Sequence, residues 1–599
     1  MRRAATLAAL AALLTAGAGA RPAALAAQDT ARVERDSLRA VQDSIAALRD
    51  SLRTAARCEG QTITRIDIRP NPPDFGRILE RSRLLARTVR SLHATTDVNV
   101  IRRFLILTEG QPCTELRRAE SERILRTQPF IADARISVFP DVGGVRLDVY
   151  VVDETSIVGG VALEGAARPT RLRLGNTNLS GRAIYGDAEW RDGFFYRDYY
   201  GARFRHHQLF GRPYLLEARG IRRPVGGEWR TEMAHPFLTD LQRIAWRVIL
   251  GATEEYVGFV REDGVFPSVR SRRDFVDVGG VVRIGVPGQL SLFGLSLSRE
   301  REGAGVAPVV RTDTGIVAFT DAGDSLLRAY RPHESARVNA LWGVRNIRFK
   351  QVVGFDALTA AQDVRTGVQF GTLFGRSLSV LGSNDDDILV AADVYAGFGG
   401  QRAFVSLQAA GSGREDGNTN RWDGVLASGR GSFIVKPTAS HTFVATAEFG
   451  AGWRSRLPFQ LTMGDLVGGV RGYRRSQLGG AQRAVLRLEE RWFAGRPRGL
   501  GDLGFALFGD AGKLWAGDVP YGVDTPVNFG LGFGILAAVP PRSQRLYRLD
   551  VAFPVSADRF ARWELRLSNT GARPGSVNEP GDLARSRERT LPTSIFTWP

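Results

Sequence analysis

The chain has 599 residues, 43% hydrophobic and 24% charged, with 68 Gly and 27 Pro, a composition that excludes a disordered or collagen-like protein. After the N-terminus no run approaches the roughly 18 uninterrupted apolar residues of a membrane-spanning helix, which excludes a helical membrane protein and leaves a membrane barrel open. Lys and Arg total 81 against 63 acidic residues, a balance of +18, yet the basic residues are spread along the whole chain and interleaved with acids, so no nucleic-acid role is expected.

Arg2 and Arg3, the Ala/Leu-rich stretch from Ala4 to Ala20 and the small-x-small site Ala24-Leu25-Ala26 read as a secretory signal over residues 1–26. No cysteine lies at the cleavage site, so lipoprotein processing is not indicated. Residues 27–57 carry a seven-residue repeat, with Leu38, Val41, Ile45, Leu48 and Leu52 spaced three and four apart as an a/d seam. The seam is short for a free-standing coiled coil, so the predicted helix packs on the next domain, a second copy or a periplasmic partner; a solvated helix is the alternative. Cys58 and Cys113 have no His or Cys companions at metal-ligand spacing. Outside the cytoplasm they read as one disulfide, with two buried free thiols as the alternative.

Residues 58–155 read as a small α+β unit. Thr64, Ile66 and Ile68 alternate in a first strand; Thr96 is placed as the cap of a helix carrying Val100, Ile101, Phe104 and Leu105, closed by Gly110. Thr114 starts a second helix that ends near Gln128-Pro129, and two strands joined at Gly143-Gly144 follow. Such a sheet offers an edge for capturing an extended peptide.

From 156 to 571 the pattern becomes short segments of period two separated by Gly, Asp, Asn, Pro and Arg clusters. Ile244, Trp246, Val248 and Leu250 share one face of a segment, as do Leu503, Phe505 and Leu507, Tyr547, Leu549, Val551 and Phe553, and Trp563, Leu565 and Leu567. The alternate positions hold Arg247, Arg548, Asp550, Glu564 and Arg566 or small residues. A β-sandwich shares this alternation. The export signal, the unbroken run of segments, and Trp190, Tyr199, Trp453 and Trp492 near segment ends favour a transmembrane antiparallel β-barrel with an aromatic girdle. Residues 572–599 form an Arg-rich C-terminal tail or closing segment.

The stretch from Gly464 to Gly512 is the most informative. Val470-Arg471-Gly472-Tyr473 lies in a Gly-rich connection; in the strand after it Leu486, Leu488 and Trp492 take the lipid face, so Arg487, Glu489 and Arg491 point inward. The same parity sends Phe508 and Asp510 inward in the next strand and Glu490 outward. Two carboxylates on adjacent strands thus face the lumen, where one planar guanidinium from a folded-in loop meets both. In Phe529-Gly530-Leu531-Gly532-Phe533-Gly534-Ile535 the glycines face inward and leave room for that loop.

These residues carry a resemblance. The chain resembles the outer-membrane assembly-factor superfamily, the BamA/TamA barrels with periplasmic POTRA domains, which also includes two-partner secretion transporters. The matching motifs are the VRG-aromatic signature at Val470–Tyr473, the F-x-D-x-G strand at Phe508–Gly512 and the acid Glu489. The resemblance implies one POTRA-like periplasmic domain, a barrel of sixteen strands in the bacterial outer membrane, and Arg471 held by Glu489 and Asp510. It implies a non-enzymatic protein that assists insertion of other outer-membrane proteins, by strand addition at the POTRA edge and opening of a lateral seam. The implied partners are the outer-membrane bilayer and unfolded outer-membrane or secreted polypeptides. A two-partner-secretion-type polypeptide transporter and a passive pore are the alternatives.

Other motifs carry no chemistry of their own. Asp313-Thr314-Gly315 resembles an aspartic-protease turn but has no second triplet. His206 and His207 are adjacent in a strand and face opposite sides. Asn384-Asp385-Asp386-Asp387 lacks calcium-loop spacing and reads as a solvated turn. No cofactor and no metal is expected.

Overall fold

The computed structural model describes residues 56–73 and 94–571, apart from 165–167, 192–198, 224–225, 305–306, 313–314, 321–325, 327–329, 331, 465–467 and 556–560. The signal segment, the heptad repeat, the 572–599 tail and the Asp313-Thr314 dipeptide lie outside the described residues.

A four-stranded sheet in the order β2-β1-β4-β3 is built from β1 (Glu59–Asn71), β2 (Pro112–Thr114), β3 (Ile131–Asp141) and β4 (Gly144–Asp153), with helices α1 (Val98–Phe104) and α2 (Glu115–Arg126) between β1 and β3. Gly143 turns β3 into β4 at φ 85°, a conformation that costs glycine nothing. Two sequence expectations shift. Helix α1 is capped by Asp97, whose side chain accepts from the Asn99 N–H at 2.7 Å, and not by Thr96, whose N–H and hydroxyl both go to Asp153. Thr114 ends β2 and so precedes α2 as part of a strand, because its segment pairs with Glu59 of β1.

The chain divides into two compact units. The first holds the start of β1, with β2 and the β3–β4 turn, and within it a disulfide joins Cys58 to Cys113. The second holds α1, α2 and everything from Val149 onward. In it, side chains of α2 occupy outward main-chain groups of β3: Glu122 accepts the Ile136 N–H at 2.7 Å, Arg118 donates to Ile136 O at 3.0 Å and Arg126 to Ala134 O at 3.1 Å. Arg126 also makes a two-point pair with Asp363, at 2.8 and 2.9 Å. This edge strand is therefore not bare, and a peptide adding to it has to displace those side chains.

The barrel wall begins with six short strands: β5 (Ile157–Glu164), β6 (Arg168–Asn176), β7 (Ile184–Arg191), β8 (Tyr199–Leu209), β9 (Tyr214–Arg222) and β10 (Gly227–His235). Then come β11 (Ile244–Gly258), β12 (Pro267–Val286) and β13 (Gln289–Ala304), with β14 (Val309–Thr312) and β15 (Gly315–Ala318) forming a hairpin on the end of β12. The far wall is β16 (His333–Val353), β17 (Ala361–Ser377), β18 (Asp387–Gly399), β19 (Ala403–Asp416), β20 (Arg421–Val435) and β21 (His441–Trp453). A two-residue ladder, β22 (Leu461–Thr462) with β23 (Gly479–Gly480), lies in the next connection. Finally β24 (Gln482–Gly495), β25 (Asp502–Trp515), β26 (Asn528–Ala538), β27 (Arg545–Pro554) and β28 (Glu564–Gly571) bring the wall back to β5.

Among the described residues twenty strands make the closed wall, not sixteen. The sixteen came with the family resemblance and not from the periodicity; the strand pairing sets the count. Closure pairs the last strand, β28, with the first, β5, so the wall has no free edge.

The wall is apolar outside and charged inside, the reverse of a soluble protein. Phe505, Leu507, Phe529, Leu531, Phe533, Ile535, Leu549 and Phe553 are exposed on neighbouring strands, while Ala506, Phe508, Asp510 and Asp550 between them are buried. Arg247, Arg273, Glu300, Arg337, Arg345, Asp387 and Arg414 are buried as well. A surface of this kind is stable only against hydrocarbon, with polar residues turned to a lumen.

Candidate functional site: a loop folded into the barrel

Residues 454–481 connect β21 to β24, and their described part folds inward. Within the connection Met463, Val470 and Tyr473 are fully buried, and they pack on Val485 of β24 and Leu514 of β25. Hydrogen bonds from Val470 N–H to Met463 O (2.9 Å) and from Gly469 N–H to Gly464 O (3.0 Å) tighten the tip. Arg487 of β24 donates to Gly468 O and Gly469 O at 2.8 and 2.9 Å, tying the tip to the wall.

Arg471 is the centre of the contact. Its Nε and Nη2 donate to the two oxygens of Asp510 at 2.8 and 2.6 Å, its main-chain N–H to the same carboxylate at 3.1 Å, and its Nη1 to Glu489 at 3.0 Å. The guanidinium carbon stands 3.5 Å from the centroid of the Phe508 ring, a cation–π contact closing the face that the acids leave open. Asp510 and Phe508 come from β25 and Glu489 from β24, whose period-two parity turns all three inward.

Three small residues decide how close the loop can come. Gly472 sits at φ 92°, and a Cβ there would stand 3.0 Å from the Pro554 nitrogen. A Cβ on Gly530 would be 2.3 Å from Arg471 O, and one on Gly512 2.4 Å from Val470 Cγ2. Tyr473 completes the motif by donating its hydroxyl to Phe529 O at 2.9 Å. All of Val470, Arg471, Gly472, Tyr473, Glu489, Phe508, Asp510 and Gly512 thus meet in one place.

Several participants were not legible in the sequence. Glu489 is shared: Arg548 of β27 donates to its two oxygens at 2.8 and 3.0 Å and Arg491 to one at 2.5 Å, while Arg548 also pairs with Asp550. Three guanidiniums and three carboxylates therefore balance inside the wall, which buried charges require. Parity alone marks Arg491, Arg548 and Asp550 as inward; nothing local joins them to Glu489. The loop also reaches the last strand, where the Arg474 N–H donates to Glu564 at 2.6 Å. Outside the group, Glu490 faces outward against His441.

The same connection has a second anchor. Arg456 donates to Asp387 at 2.9 Å and to Asp385 at 3.1 Å, and Asp387 also receives Arg337. The run at 384–387, expected as a solvated turn, is so only in part: Asn384 and Asp386 are exposed, whereas Asp387 is buried and receives guanidiniums from β16 and from the 454–481 connection. Among the described residues no group of His, Cys, Asp and Glu is arranged to hold a metal ion.

No family model matches the chain, and no curated protein matches it. Among solved structures it is similar to BamA from Haemophilus ducreyi lacking POTRA domains 1–3, at 12% identity and a TM-score of 0.39, covering 85% of this chain and 84% of that one. It is similar to CdiB from Escherichia coli at 12% identity and a TM-score of 0.40, covering 92% and 99%, and to CdiB from Acinetobacter baumannii at 9% and 0.38, covering 85% and 74%.

Proposed function

We propose that this protein is a non-enzymatic bacterial outer-membrane barrel, its N-terminal part in the periplasm, that assists insertion and folding of other outer-membrane proteins at the seam between β28 and β5. The observation that carries the reading is the Arg471 clamp: a loop bound by buried charges to β24 and β25 and, through Arg474, to Glu564 of the closing strand.

The strands beside the seam support it. At about 3.3 Å per residue the eight residues of β5 and of β28 extend only about 26 Å, and tilted as barrel strands are they cross less than the usual apolar band. β12 and β16, with 20 and 21 residues, extend more than twice as far. Strands this short can make few ladder hydrogen bonds, which supports the seam as a place where the wall parts and presents unpaired main chain to an incoming strand. Folding of the client into the bilayer supplies the driving force.

The test is conditional depletion in the native host, followed by quantitative proteomics of outer membranes and culture supernatant. Loss of several unrelated barrel proteins is expected. Loss of one secreted protein, with the barrels unchanged, would replace this reading with that of a dedicated polypeptide transporter.

A further inference from the structure

We infer that the β16–β17 connection, residues 354–360, is a second closure of the lumen, at the end opposite the folded-in loop, and that Arg491 ties the two closures together.

A barrel hairpin needs only a tight turn, as Pro287-Gly288 shows between β12 and β13. The β16–β17 connection instead has seven residues, Gly354-Phe355-Asp356-Ala357-Leu358-Thr359-Ala360, of which Phe355, Ala357, Leu358 and Ala360 are buried. Apolar residues in a turn between lumen-facing charges have to pack on something, and they do so across the inside of the wall. Phe355 joins Phe404 of β19, Ile434 of β20 and Val444 of β21; Leu358 joins Ala506 of β25, Leu536 and Ala538 of β26 and Leu546 of β27. A Cβ on Gly504 would stand 2.7 Å from Leu358, so the glycine admits the tip.

Polar contacts fix the same position. Gly354 O accepts from Lys436 Nζ and the Thr442 hydroxyl at 3.3 and 3.2 Å, the Thr359 hydroxyl bonds the Asp502 carboxylate, and Arg496 pairs with that carboxylate at 2.6 Å. Arg491 makes the link. Its Nη1 donates to Phe355 O at 2.9 Å and its Nε to Glu489 at 2.5 Å, the acid that holds Arg471. One guanidinium therefore spans from the turn-end segment to the loop-end clamp, and the lumen is obstructed from both sides.

The experiment is conductance of the full-length protein in planar lipid bilayers. Replacing residues 355–359 by two glycines is expected to raise conductance several-fold over the parent, and Arg491→Gln to raise it by less, with no further increase when the two are combined. An unchanged conductance in a replacement variant that still migrates as a heat-modifiable barrel overturns the inference, as does an Arg491→Gln effect that adds in full. Should the replacement not fold, Thr359→Cys with Asp502→Cys decides. Oxidised, the pair is expected to suppress openings relative to its reduced state beyond any change that the same reductant causes in the parent; equal opening in the two states refutes the second closure.

Discussion

Arg471→Ala removes three side-chain donor contacts and leaves two acids with unequal losses. Glu489 keeps Arg548 and Arg491, whereas Asp510, 3% exposed, loses both guanidinium bonds and its counter-charge and keeps only the main-chain N–H of residue 471. Stranding one buried carboxylate costs about 3–5 kcal/mol, so the docked loop should lose a factor of roughly a hundred to a few thousand against the undocked one. The readout is protease cleavage of 454–481 from outside intact cells, with heat-modifiable migration to show that the barrel still assembles, and insertion activity is expected to fall with docking. The cause is separable from mere loss of packing: Arg471→Ala with Asp510→Ala removes the stranded charge and should recover part of the docking. If the double variant is as exposed to protease as Arg471→Ala, the stranded-charge account is wrong.

Three further outcomes follow from the geometry. Gly530→Val puts a side chain into the space of Arg471 O, so the loop should be expelled with every charge intact, which the same protease assay reads. Replacing Cys58 and Cys113 by Ser opens a loop of 55 residues; the chain-entropy estimate is about 4 kcal/mol, expected as a lower urea midpoint for the N-terminal unit with unchanged barrel migration. Asp141 is held below its ordinary 3.8 by the Thr64 hydroxyl and then by the Val142 N–H, so its contribution is present above that value and lost as pH falls below it. Asp141→Asn should flatten that part of the acid limb of urea midpoint against pH, and an unchanged limb would refute the assignment.

Much of the site was readable because strand parity is local. Once β24 and β25 are strands, a period of two dictates that Glu489, Phe508 and Asp510 share the inner face, and the inward glycines at 530, 532 and 534 announce that something lies against them. What parity cannot supply is the partner across the barrel. Arg548 is 59 residues from Glu489 and Arg456 is 69 from Asp387, and no periodicity connects them.

From sequence alone, then, came the alternating wall and the loop motif with its two acids, since both depend on neighbours along one strand or on adjacent strands. The strand count, the sharing of Glu489 among three arginines, the covering of β3 by α2 and the inward course of residues 354–360 were decided only by the tertiary structure. Each depends on closing the sheet: closure sets which distant strands face one another across the lumen, and buried charges and apolar turn residues there must find partners wherever the chain brings them.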